Sequence, residues 1–257
     1  MEKKHYKVHS LERGLDLIEI LSSLDKEISL TELSDKSGFT PSTTHRILDA
    51  LKSRGYIKQN PENSKYNLSF KLFEIGTKII RRVSLREEAV PVLRSLANET
   101  GESAYLLIRD NYEALCLERI DGFHFMKLLY LQVGGRMPLH IGAGPKILLA
   151  SLPDEEIDHF IRTTGLPALT RETITNPLML KEELEKIRRQ GYALSIGDNT
   201  DGGAALSCPV RNWQCEVVAT VSIAGFANHF SPDRIDSLIK IVSDGARELS
   251  TRLNAPG

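Results

Sequence analysis

The run Thr40-Pro41-Ser42-Thr43-Thr44-His45-Arg46 gathers hydroxyls, an imidazole and a guanidinium within seven residues. These groups suit recognition of a nucleic acid. A guanidinium such as that of Arg46 takes a guanine edge or a phosphate in bidentate fashion, and short hydroxyls such as Ser42 and Thr43 approach bases or phosphates closely. Lys52, Arg54 and Lys65 follow downstream and extend the same chemistry toward the phosphate backbone. A second constellation is His140-Ile141-Gly142-Ala143-Gly144-Pro145. Glycines let a backbone come close to a ligand and adopt positive φ. A helix start leaves N–H groups unpaired beside a partial positive charge. A small carboxylate is the natural guest of such a loop if Pro145 takes the first helical position. The competing reading is a tight strand-to-helix turn with no ligand.

The first constellation needs an exposed helix, and the local signals predict one. Thr40 is an N-cap, Pro41 suits the first helical position, and Gly55 ends the segment. With Ile47, Leu48 and Leu51 inward, the outward residues are Ser42, Thr43, His45, Arg46 and Asp49. Two helices are predicted before it. One starts at Ser10 with an apolar stripe through Leu11, Leu15, Ile18, Leu21 and Leu24; the other starts near Thr31, with Leu33 inward and Gly38 at its end. After Gly55 the period shortens to that of strands: Tyr56–Asn60, a turn at Pro61–Lys65, and a return at Tyr66–Ser69. Three helices and a hairpin make a winged helix-turn-helix over residues 1–67, with Lys65 in the wing. Leu68, Leu72, Ile75 and Ile79 then repeat at helical spacing, predicting a linker helix over 68–83. Its apolar seam has two readings, pairing with a second chain or packing on its own domain.

From residue 84 helices and strands mix, so the fold class is α+β, with an α/β C-terminal domain over 84–257. Predicted strands are 103–110, 113–120, 125–133, 192–199, 204–212 and 217–225, and the closing helix starts near Ser231.

The chain has 257 residues, 41% hydrophobic and 26% charged, which suits two soluble cores. Its net charge is −1, unevenly spread: residues 1–83 carry 15 basic and 11 acidic side chains, the remainder 18 and 23. That asymmetry fits a DNA-binding segment joined to one that avoids DNA. The charged N-terminus has no apolar signal segment, and no apolar run reaches the ~18 residues that span a bilayer. A cytoplasmic protein without membrane contact is expected. Cys116, Cys208 and Cys215 are an odd count without zinc-like spacing and read as reduced thiols. No Gly-x-Ser-x-Gly or phosphate-loop motif is present, so no catalytic residue, metal or cofactor is assigned. An enzyme built on His140, Asp198, Ser207 and Cys208, and a metal site drawn from His124, His140, Cys208 and Cys215, are the rival arrangements.

The stretch from Ser10 through "LTELSDKSGFTPSTTHRILDALKSRGYIKQN" to "YNLSFKLFEIG" resembles the DNA-binding domain of the IclR family, the regulators named after the isocitrate lyase regulator. Ser42, Thr43, His45, Arg46, Ile47 and Leu48 stand in the places of the family's Ser-Thr-x-His-Arg-Leu-Leu helix, with Ile47 a conservative departure. The match continues through "MPLHIGAGPKILLA" and "GYALSIGDNTDGGAALSCPV" to "VVATVSIAG", covering nearly the whole chain.

The resemblance implies a winged helix, a linker helix and a GAF-like effector-binding domain. It also implies dimers or tetramers on near-palindromic double-stranded operators. It assigns effector carboxylates to the Gly142-Ala143-Gly144 loop, where Pro145 departs from the small residue usual in relatives and removes one N–H. Ser195 stands where relatives place a polar contact; Ala205, Ser207 and Ser222 are further candidates, and Met126, Leu129 and Met137 are candidates for an apolar wall. The expected function is a DNA-binding regulator, more readily a repressor, of a catabolic operon under a small organic-acid effector. The alternative is a constitutive DNA-binding protein whose C-terminal domain only oligomerises.

Overall fold

Helix α1, His9–Ser22, buries Gly14, Leu17 and Leu21, while Leu11 and Leu15 are 62% and 51% exposed. The expected stripe through Leu11 and Leu15 is therefore rotated. Both stripes have helical spacing, and the choice falls to the partner helix: a β carbon at Gly14 would lie 3.9 Å from Ile47 Cγ2, so α1 meets its neighbour at the glycine. The computed structural model describes residues 8–24, 26–80, 84–123 and 131–254, with the side chains of 76–80 and 84 excepted. These form two compact units, residues 1–82 and 83–257.

In the first unit α2, Leu30–Ser37, starts with a capping box. The Ser29 hydroxyl accepts from the Glu32 N–H at 3.3 Å, and the Glu32 carboxylate accepts from the Ser29 N–H at 3.0 Å. Gly38, at φ +70°, ends it in the left-handed conformation that glycine tolerates best. α3, Pro41–Ser53, starts on Thr40, whose hydroxyl accepts from the Thr43 N–H, and buries Thr44 and Leu48. β1, Ile57–Gln59, pairs antiparallel with β2, Tyr66–Leu68, and Ile28 adds a bridge to Tyr66. Leu17, Leu21, Leu33, Leu48, Ile57 and Tyr66 close the core. α4 runs Phe70–Ile80, shorter than the expected 68–83: Leu68 ends β2, and residues 81–83 lie outside the described residues. Phe70 and Phe73 stand exposed on it.

The second unit is a six-stranded sheet, among the described residues, with helices on both faces. Its strands are β3 (Ser103–Asp110), β4 (Glu113–Ile120), β5 (Arg136–Pro138), β6 (Ala193–Ile196), β7 (Gly203–Arg211) and β8 (Val217–Phe226), in the order β5-β4-β3-β8-β7-β6, every pair antiparallel. Strand alternation splits the side chains. Ala104, Leu106, Leu206, Val221 and Ile223 pack under α5 (Ser84–Thr100) and α9 (Pro232–Leu253). Tyr105 and Leu107 face α6 (Ala143–Ala150), α7 (Asp154–Thr164) and α8 (Pro177–Gln190). α8 keeps the predicted ends, Asn176 accepting from two N–H groups and Gly191 at φ +78°. Most of the predicted 125–133 strand lies outside the described residues; β5 is a strand that periodicity did not anticipate. Among the described residues no helix is long and apolar enough to cross a membrane.

Candidate functional sites

α3 presents the first site. Ser42, His45 and Arg46 are exposed, and Arg46 holds no ion pair among the described residues. Thr43 is half-buried and its hydroxyl accepts from Thr40, so it is partly committed to the helix start. Asp49, two turns into the helix, pairs with His45 Nδ1 at 3.2 Å and Lys52 Nζ at 3.3 Å. Lys52 Nζ also donates to Gln59 in the wing at 3.1 Å. Arg54 is exposed beyond the helix end and Lys65 is half-buried in the wing turn. The first unit thus carries all the cations that the sequence singled out, with an exposed guanidinium on α3.

The second site is a pocket between the first turn of α6 and the sheet, about 530 Å³ of empty space that is partly open to solvent. Register builds its floor. Ser195, Ala205, Ala224 and Ser103 lie in one row across the sheet, and Ser207, Ser222 and Tyr105 lie in the next. The two alanines leave the floor low. Met137, Leu131 and Tyr105 make apolar walls, and Ser195 and Ser222 present hydroxyls. Burial raises the Tyr105 phenol above its ordinary pKa, so it enters the pocket as a neutral group.

Gly142, at φ +84°, turns the chain into α6. Its N–H donates to Asp198 Oδ2 at 3.1 Å, and Lys146 Nζ donates to the same oxygen at 2.8 Å. Ser195 Oγ donates to the other carboxylate oxygen, and the Thr173 hydroxyl donates to the Asp198 carbonyl at 2.6 Å. Lys146 and Asp198 are only 4% and 6% exposed. Lys146, the cation found beside the loop among the described residues, is therefore spent on an internal carboxylate. The N–H groups of Ala143 and Gly144 have no acceptor among the described residues and border the pocket. Gly144 has a second role: a β carbon there would come within 2.7 Å of Leu107 Cδ1 and 2.8 Å of Ser222 Oγ, so only glycine lets α6 lie this close to the sheet.

Several sequence expectations shift. Pro145 occupies the third helical position, not the first, because the helix already begins at Ala143. It still falls where an N–H has no partner within the helix. Met137, Gly142, Ala143, Gly144, Ser195, Ala205 and Ser222 all line the pocket. Ser207 does not: its hydroxyl donates to the Val221 carbonyl at 3.0 Å and lies 2.8 Å from Ser222 Oγ, supporting the floor from the side. Met126 and Leu129 lie outside the described residues, as does His124. Sequence reasoning missed Tyr105, Leu131, Thr200 and the Lys146–Asp198 pair. Only the Lys following Gly-x-Gly-Pro signalled the last, and its partner is 52 residues away.

The members of the rival enzyme set bond to other partners. His140 is buried, and its Nε2–H donates to the Pro167 carbonyl at 3.0 Å; Nδ1 has no partner among the described residues, and burial lowers the imidazole pKa. Asp198 serves Lys146, Ser207 serves the Val221 carbonyl, and Cys208 packs under the opposite face with its thiol pKa raised by burial. No group of three or more metal-ligating side chains occurs among the described residues.

Comparison with known proteins agrees with this two-unit reading. The model of the IclR helix-turn-helix domain matches residues 10–61, and that of the C-terminal domain of bacterial IclR transcriptional regulators matches residues 77–251. The chain is 32% identical over 226 residues to the HTH-type transcriptional regulator KipR of Bacillus subtilis, covering 88% of this chain and 90% of that protein. It is 29% identical over 245 residues to the transcriptional repressor IclR of Escherichia coli, covering 95% and 89%. Among solved structures, an IclR homologue from Microbacterium hydrocarbonoxydans complexed with 4-hydroxybenzoate superposes with a TM-score of 0.82 at 23% identity, over 95% of this chain and 98% of that one. A winged helix with an exposed cationic helix, joined to a sheet domain with a small pocket, and family models that together span most of its length, make this chain a DNA-binding transcriptional regulator of the IclR family.

Proposed function

We propose that the protein represses a catabolic operon in the cytoplasm, and that a small organic acid with a single carboxylate, bound at the start of α6, controls its hold on DNA. The observation that carries this reading is the pair of N–H groups of Ala143 and Gly144, without an acceptor among the described residues, beside a pocket where the buried Lys146 and Asp198 neutralise each other. A carboxylate completes those donors. The Ser222 hydroxyl adds a third contact, and the Ala205–Ala224 floor accepts a compact apolar body. A second negative charge meets no unpaired cation among the described lining residues, so dicarboxylates and phosphorylated compounds are disfavoured. The relative complexed with 4-hydroxybenzoate holds a ligand of this charge.

On DNA, Ser42, Thr43, His45 and Arg46 read base edges, and Lys52, Arg54 and Lys65 contact phosphates. Two protomers of a dimer or tetramer set their α3 helices in successive major grooves about 34 Å apart on a near-palindromic site. The effector acts by binding the DNA-competent and DNA-incompetent states with different affinities. The pocket recognises its ligand without catalysis, which the separate engagement of His140, Asp198 and Ser207 supports.

The test is thermal melting of the full chain against monocarboxylic, dicarboxylic and phosphorylated acids, with the methyl ester of each hit. A ligand that binds only the folded state at 100 times its Kd adds about 2.7 kcal/mol. Stabilisation by a monocarboxylate and not by its ester is expected. Preference for a dicarboxylate or phosphate overturns the charge argument. Silence across the panel, with DNA binding intact, favours a constitutive DNA-binding protein whose C-terminal domain only oligomerises.

A further inference from the structure

The wing turn is held from two sides, on one of them by a side chain, Glu27, that the reading of base and phosphate contacts leaves unused. On one side, Glu27, in the segment before α2, accepts from Asn60 Nδ2 at 2.9 Å and Asn63 Nδ2 at 3.0 Å through a single carboxylate oxygen. The other ends of both amides shape the turn. Asn60 Oδ1 accepts from the Glu62 N–H, and Asn63 Oδ1 accepts from the Lys65 N–H, each at 2.9 Å. Next to this brace, Ile28 and Tyr66 exchange two backbone hydrogen bonds, at 3.1 and 2.8 Å. On the other side, Lys52 of α3 donates to Gln59 Oε1, and Gln59 Nε2 donates to the Ser64 carbonyl, each at 3.1 Å. Ser64 itself sits at φ +57°, a conformation uncommon for a residue with a side chain. Lys65 follows directly.

We propose that Glu27 is a positioning residue for DNA binding: without touching DNA, it sets the wing turn so that Lys65 meets a flanking phosphate while α3 lies in the groove. This rests on Lys65 being a phosphate contact. The amide donors, with Lys58 and Lys65 nearby, also hold the Glu27 carboxyl below its usual pKa, so it stays ionised and keeps accepting at neutral pH. The role opposes simple electrostatics. A carboxylate beside DNA repels phosphate, so if Glu27 were only a surface charge its removal would tighten binding.

The two readings separate in one assay. A duplex is first selected from a randomised pool with the wild-type full chain, and its affinity for variants is measured across a salt series. Glu27→Ala is expected to weaken binding several-fold and to shrink the slope of log K against log salt by about 1, the signature of one lost phosphate contact. Lys65→Ala is expected to do the same, and the double variant to bind no worse than Lys65→Ala alone. Glu27→Asp keeps the charge but is too short to reach both amides; it is expected to lose affinity as well, and it carries the test should the alanine variant melt early. Equal or tighter binding by Glu27→Ala, unchanged binding by Glu27→Asp, or a double variant showing the product of the single losses overturns the inference. A silent Lys65→Ala breaks the assignment of Lys65 and this inference with it. Failure of the pool to yield any duplex breaks the DNA-binding reading itself.

Discussion

The two units use the same charged side chains in opposite ways. In the winged helix Arg46 and Lys52 sit at the surface, ion-paired only through Asp49 or not at all among the described residues, where a polyanion can collect them. Beside the pocket at the start of α6, Lys146 is buried, ion-paired and hydrogen-bonded to a carboxylate that also takes a backbone N–H and a serine hydroxyl. Exposed charge acts at a distance and is screened by salt; buried charge acts at contact and tolerates little change. A protein that binds a long anion and, on the proposed reading, also discriminates among small ones has use for both.

The largest effect expected from this contrast is at the buried pair. Asp198→Asn leaves the Lys146 ammonium buried without its counter-charge and should cost about 3–5 kcal/mol of stability in the C-terminal unit, read as the urea midpoint of its unfolding. Adding Lys146→Met to that variant should recover most of the loss. If the single variant is as stable as wild type, the pair is not the scaffold described above. At the exposed site the expected order reverses. Arg46→Ala should leave melting within about 0.5 kcal/mol of wild type but cost about 1–3 kcal/mol of binding to a selected duplex at fixed salt. Unchanged affinity would remove Arg46 from the reading surface.

The smallest effect is a pH dependence. Burial lowers the His140 pKa, so the unfolded chain binds more protons than the folded one below the ordinary value of 6.5. Stability should therefore fall as pH drops from about 6.5 toward the depressed value and flatten below it, and that component should vanish in His140→Gln. A histidine-independent acid limb would show that carboxylates alone carry it.

Legibility from sequence followed the range of the interactions. The start of α3 was readable because Thr40 and Pro41 act within one turn, and α8 because Asn176, Pro177 and Gly191 do. The wing was readable from the change of period after Gly55. The buried face of α1 was not, because two stripes of equal spacing compete and Gly14, facing Ile47, decides between them only when α3 is in place. Half of the pocket followed from the Gly-Ala-Gly loop and the small residues on β6, β7 and β8. Tyr105 lay in a strand that reads as ordinary core, and Asp198 acquires its meaning only from Lys146 across the fold.

The buried pair bears on how ligand preference drifts. Changing either partner alone passes through a chain with a stranded charge, whereas Ala205, Ala224 and Met137 border the same pocket and carry no charge. Divergence at this pocket therefore has a cheap direction, the volume and shape of its apolar wall, and an expensive one, its ionic frame. Descendants of this sequence are expected to explore new effectors mainly by resizing, keeping the lysine and the aspartate as a unit until both are exchanged together.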